Sequence, residues 1–225
     1  MNYGCSATRG WAVPTWSEPR AAGTLPARPA TPADEADDDP SGGHDMKELL
    51  VELITLISSG SMGNDDIQRI ADEAAQAYAD PPAFLAAHPE SGYEDGCPIP
   101  PGEWVLLGSL PDSVLFQAKQ ADELLQQVID SFGTSSPFPF EAGDLAGEDL
   151  LAALQRIQVA LSDLYPETEG YELVDFGEPL DGGLQMVLIY TRDLPRLLEL
   201  SMEIGIYAAP AYESRLTALG DGEDG

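Results

Sequence analysis

Residues 184–190 read LQMVLIY, six apolar residues in seven with only Gln185 polar. So short and so apolar a run fits a strand covered on both faces, since a helix needs a longer periodic segment. Just upstream, Gly177-Glu178-Pro179-Leu180-Asp181-Gly182-Gly183 supplies the residues of a long hairpin turn. YELVDF at 171–176 is the partner strand on the other side of that turn. Downstream, Leu194, Leu197, Leu198 and Met202 recur at helical spacing, and Gly205 stands where a left-handed residue closes a helix. IYAAP follows as a last strand, near 205–209. The C-terminal third therefore predicts strand, hairpin, strand, helix, strand, with 184–190 in the middle.

The elements that would cover this sheet lie on its N-terminal side. Leu150, Leu154, Ile157, Leu161 and Leu164 form the most regular helical stripe in the chain, on a helix near 148–164. Leu124, Leu125, Val128, Ile129 and Phe132 mark another near 121–132, preceded by a strand near 114–118. Farther upstream, Met46 to Ser59 is amphipathic, with Asp45 and Glu48 as its capping box. Asp65, with Gln68, is the expected cap of a second helix, and Asp80-Pro81 opens a third that runs to about His88. Trp104–Leu110 suits a helix or a strand equally. The fold class is α+β: N-terminal helices packed with a small mixed sheet, which helices near 121–132, 148–164 and 194–204 cover. A sheet this small needs those helices to bury its faces, so residues 46–210 read as one domain. Residues 1–45, rich in Pro, Ala and Asp, read as a disordered tail, and 211–225 as an acidic C-terminal tail.

Charge bounds the function. The chain carries 40 acidic and 10 basic residues, a net charge of −30. Residues 46–225 alone keep 33 acids and 7 bases, so the imbalance belongs to the folded part. Nucleic acid and anionic membranes have the same sign and are disfavoured as direct partners, while a basic protein is favoured. No apolar run approaches the roughly 18 residues of a membrane span, and the first residues hold no apolar stretch of the secretory kind. Cys5 and Cys97 are the two cysteines. Their separation by a Pro-rich segment makes a structural disulfide a poor reading, and a reducing cytoplasm the plainer setting.

Three stretches, PPAFLAAHPESGYE at 81–94 with Trp104 beyond it, VLFQAKQADELL at 114–125 and the apolar strand–helix–strand of the C-terminal third, occur in that order. In this the chain resembles an uncharacterised bacterial family of acidic α/β proteins, a domain of unknown function, over roughly residues 64–209. Phe116-Gln117-Ala118-Lys119 keeps the Lys of that family's acidic-Trp-Lys run and lacks its Trp. The resemblance implies a fold class and brings no activity.

Residues able to do covalent chemistry are few. His88 and Cys97, nine positions apart around a Pro/Gly loop, could form a thiolate–imidazole pair. The simpler reading is a helix-end histidine beside a half-buried thiol. His88, Glu90, Asp95 and Cys97 match no spacing of a metal site, and no metal or cofactor is expected. Gly60-Ser61-Met62-Gly63 and Asp181-Gly182-Gly183 lack the lysine and hydroxyl of a phosphate loop.

Two function classes follow. The first is a non-catalytic acidic binding protein, an immunity-type or nucleic-acid-mimic inhibitor of a basic partner, working by electrostatic steering. Its candidate face is the loop region with Tyr93, Glu94, Asp95, Glu103 and Trp104. Phe138 and Phe140, alternating with prolines, would insert into a partner or pin their loop to the core. The second is a small enzyme using His88, Cys97 and carboxylates of the central loop.

Overall fold

The computed structural model describes residues 45–94, 96–133, 138–165, 169–180 and 182–220, with side chains to 217. The expected disordered tail up to residue 44, Asp95 and the final residues 221–225 lie outside them.

Four helices come first: α1 (Met46–Ser58), α2 (Asn64–Ala79), α3 (Pro81–Ala87) and α4 (Pro101–Ser109). Strand β1 (Leu115–Ala118), α5 (Ala121–Ser131) and α6 (Leu150–Ser162) follow. The C-terminal third is β2 (Tyr171–Phe176), β3 (Leu184–Tyr190), α7 (Leu194–Ile204), β4 (Ala208–Pro210) and α8 (Ala211–Gly220). The α+β class and the strand–hairpin–strand–helix–strand order stand as expected.

The sheet order is β1-β3-β2-β4, which puts the LQMVLIY strand inside, paired on both edges. Every described pairing is antiparallel, so the sheet is not mixed. The reason is topological. β4 runs parallel to β3, but β2 lies between them and turns one parallel neighbour pair into two antiparallel ones.

Strand periodicity explains the unbroken apolar run. Leu115, Val174, Phe176, Val187 and Ile189 point into a core with α1, α2, α4 and α7. Phe116, Leu173, Leu184, Met186 and Leu188 point into a second core with α5 and α6. Alternate residues therefore serve opposite faces, and helices cover both.

The helices begin where local chemistry directs. Asp45 accepts the Lys47 N–H at 3.3 Å, Asp80 accepts that of Ala83 at 3.0 Å, and Asp149 takes those of Leu151 and Ala152. α2 departs from expectation: it starts at Asn64, its cap is Gly63, and Asp65 lies within the first turn. α4 resolves the ambiguous Trp104 segment as a helix. All of Trp104–Leu107 are buried, which erases the one-sided stripe that marks a helix in sequence. In α7 the inward face is Leu197, Leu200, Ser201 and Ile204, while Met202 is 83% exposed. Gly205 closes that helix at φ 86°, as its position suggested. Residues 211–220 are helical where a frayed tail was expected, because Ala211 and Tyr212 pack into the second core.

Where β4 stops short, Gln158 of α6 continues the sheet edge. Its amide accepts the Leu173 N–H at 3.1 Å and donates to the Tyr171 carbonyl at 3.0 Å, which satisfies the strand's outward groups.

Candidate functional site

The loop expected to present an acidic face is fastened down. The Trp104 indole N–H donates to the Ser91 carbonyl at 3.0 Å, and the Tyr93 ring meets the indole edge-on at 6.0 Å. The Tyr93 hydroxyl donates to the Ile99 carbonyl at 3.1 Å. Trp104 is 9% exposed and Glu103 5%, so neither is available to a macromolecular partner. This corrects their assignment to the surface. Tyr93 is half-buried, Glu94 is exposed, and Asp95 lies outside the described residues.

Glu103 instead ties the β2–β3 hairpin to α4. Its carboxylate accepts the backbone N–H of Glu178. Burial pushes its pKa up to about 7, and the nearby Glu178 carboxylate adds to the rise. Tyr78, with its hydroxyl buried and unpartnered, is also pushed up, mainly by burial and then by Glu103. A residue inside an otherwise apolar helix is more constrained than its acidity suggests. The run GEWVLLGSL, apolar all round, carried that signal.

Two further acids are buried on β2. Glu172 takes the Gln158 amide at 2.9 Å on one oxygen, and its other oxygen is unpartnered. Burial, and secondarily Glu213, raises its pKa to about 7. Asp175 pairs with Arg215 of α8 at 2.6 Å and accepts from the Ser214 hydroxyl at 3.1 Å. Burial still raises its pKa, against the pull of both partners. These contacts anchor α8.

His88 stacks on Phe84 with ring centroids 4.4 Å apart, and its Nδ1 is 3.3 Å from Glu90. The half-buried Cys97 packs against the first core. Among the described residues, no group of three or more His, Cys, Asp or Glu side chains is placed to hold a metal ion.

The aromatic loop is pinned and also lines a recess. Phe138 is 9% exposed and packs edge-on against Phe132 and Phe140. Phe140 is half-buried, with the Arg156 guanidinium 4.9 Å from its ring centre. Between α5 and the 3₁₀ turn Ala142–Leu145 lies an open groove of about 460 Å³. Ile129, Phe138, Phe140 and Ala142 form its apolar lining, and Gln126 and Glu141 its polar contributions. Sequence reasoning found the two phenylalanines and missed Ile129 and Glu141, which only the docking of this turn on α5 brings to them.

One acid, Glu141, lines this groove, and the Arg156 guanidinium stands over its Phe140. From Gln120 to Gln155 the chain carries seven acidic residues and no basic one. Residues 70–118, with eight acids, and 157–191, with seven, hold no Lys or Arg either, so the excess is spread along the chain. Lys47 pairs with Asp72, Arg69 with Asp66 and Glu73, and Arg196 with Glu52, Glu199 and Glu203. Among the described residues Arg156 pairs with Glu148, Arg192 with Asp193 and Arg215 with Asp175. Among the described residues no helix is long and apolar enough to cross a membrane. Compared with protein-family models, curated proteins and solved structures, the chain matches none.

Proposed function

We propose that this is a non-catalytic binding protein whose carboxylate-rich surface engages a basic protein, as an inhibitor of immunity or nucleic-acid-mimic type. The observation that carries the reading is the charge itself, 33 acids against 7 bases from residue 46 onward, with Glu141 on the wall of an apolar groove. Solubility needs only a modest net charge, and an excess of this size destabilises the folded chain through self-repulsion. A cationic partner would relieve that repulsion on binding and be drawn in by long-range attraction. The two cysteines fit a reducing, cytoplasmic setting for the encounter.

The test is affinity capture on the immobilised full-length chain from a lysate of its source cells. At about 0.1 M salt charges are felt over about 10 Å, and at 1 M over about 3 Å. The reading expects one or a few basic proteins retained at the lower salt and released at the higher. Capture only of acidic or neutral proteins, or retention indifferent to salt, would contradict it.

A further inference from the structure

We infer that the groove between α5 and the Ala142–Leu145 turn seats an arginine side chain of a basic protein segment. The inference rests on the proposed binding function and narrows it to one surface and one recognising chemistry.

The groove offers both halves of an arginine site. Phe138, Phe140 and Ile129 supply an apolar lining against which a three-carbon stem can be dehydrated. The recess, of about 460 Å³, is open to solvent, so a side chain can enter it from outside. Aromatic faces attract a guanidinium through the ring quadrupole, and Phe140 already does so with Arg156 at 4.9 Å. Arg156 is itself held by Glu148 at 2.8 Å, so this ring and its neighbouring carboxylate act as a pair on an internal arginine.

Charge complementarity decides the occupant. Glu141 lies on the groove wall and is exposed. Its carboxylate accepts the Asp144 N–H, and the Asp144 carboxylate accepts the Glu141 N–H at 3.0 Å, which holds Glu141 in place on that wall. Asp130 accepts from the amide of the groove-lining Gln126 at 2.8 Å and is exposed nearby. A fixed carboxylate beside an aromatic face favours the planar, forked guanidinium over the compact ammonium of lysine. An apolar or anionic segment would desolvate these acids without compensation.

Calorimetric titration of the full-length chain at low salt tests the assignment, with an arginine-rich peptide, a lysine-rich peptide of equal length and a glutamate-rich control. Phe140→Ala and Glu141→Gln alter the groove, and Asp65→Asn removes one exposed charge from α2 across the sheet. The arginine peptide is expected to bind more tightly than the lysine peptide. Phe140→Ala should weaken it about fivefold or more, Glu141→Gln should weaken it less, and Asp65→Asn should change it less than about twofold. A thermal melt shows whether Phe140→Ala is folded, and Glu141→Gln, at an exposed site, reports even if it is not. If both groove variants bind like Asp65→Asn, the arginine seat is overturned while the basic-partner reading stands. If the unaltered chain binds neither cationic peptide, that reading falls as well.

Discussion

Gln127 of α5 closes the outer edge of the sheet at Gln117: its side-chain amide accepts the Gln117 N–H at 3.0 Å and donates to the Gln117 carbonyl at 2.7 Å. The same chemistry acts at the opposite side, where Gln158 bonds β2. A glutamine amide carries one acceptor and a donor group in the spacing of a backbone peptide, so each side chain stands in for a missing strand. Edge strands left open recruit other chains. In a protein whose charge already discourages self-association, these two amides also satisfy outward backbone groups of β1 and β2.

Replacing Gln127 by Leu should remove both of its hydrogen bonds to the Gln117 backbone. The expected cost is about 1–3 kcal/mol of stability, with a rise in oligomers on heating. Chemical denaturation and light scattering measure the two effects. An unchanged midpoint would show that the amide does not support the edge.

Gly102→Ala should reverse the usual rule for a helix. Alanine normally stabilises a helical position by about 1 kcal/mol. Here an added Cβ would run into the ring carbons of Tyr78, so α2 and α4 cannot keep their separation. The variant should be less stable by about 1–3 kcal/mol, and Tyr78→Ala in the same chain should recover part of the loss. A double-mutant cycle by denaturation checks it.

The buried carboxylates predict the pH dependence of stability. Glu103 and Glu172 each titrate at about 7 in the folded chain, against 4.5 for an ordinary glutamate. Between these values the folded chain holds protons that the unfolded chain has released, so stability falls as pH rises. Their contribution is complete below about 4.5 and lost above about 7. Glu103→Gln keeps an acceptor for the Glu178 N–H and carries no charge. It should flatten this fall and raise Tm at alkaline pH by a few degrees, about 2–4 °C for each kcal/mol. Superimposable Tm–pH curves for both proteins would refute the account.

Asp175 and Arg215 fix α8 to β2. Arg215→Met leaves a buried acid unpaired and should cost about 1–3 kcal/mol, given that the guanidinium is partly exposed. Asp175→Asn together with Arg215→Met should restore most of it. Hydrogen exchange should rise first in the amides of 211–217 in the single variant. Equal protection in all three proteins would mean that apolar packing alone holds the helix.

The fold was legible where period and burial agree. LQMVLIY announces an interior strand, and the stripe from Leu150 to Leu161 announces α6, because each repeats at the spacing of its own geometry. Legibility failed where a residue type and its surroundings disagree. Glu103 looks like surface and is buried, because the β2–β3 hairpin folds back over α4 and supplies an N–H to its carboxylate. Met202 looks like core and faces solvent, since Leu200 and Ser201 take the inward positions. The helical identity of 211–220 depends on Ala211 and Tyr212 docking beside α6, a contact with no local pattern. Phe138 and Phe140 stood out in sequence, but the groove they line with Ile129 and Glu141 exists only in the assembled chain.

The decisive measurement is the association rate of the full-length chain with a captured basic partner, followed by stopped flow across a salt series. Attraction between a carboxylate-rich surface and a cationic protein predicts a rate that falls at least about tenfold between dilute and molar salt, with a much smaller change in dissociation. A rate independent of ionic strength would contradict it.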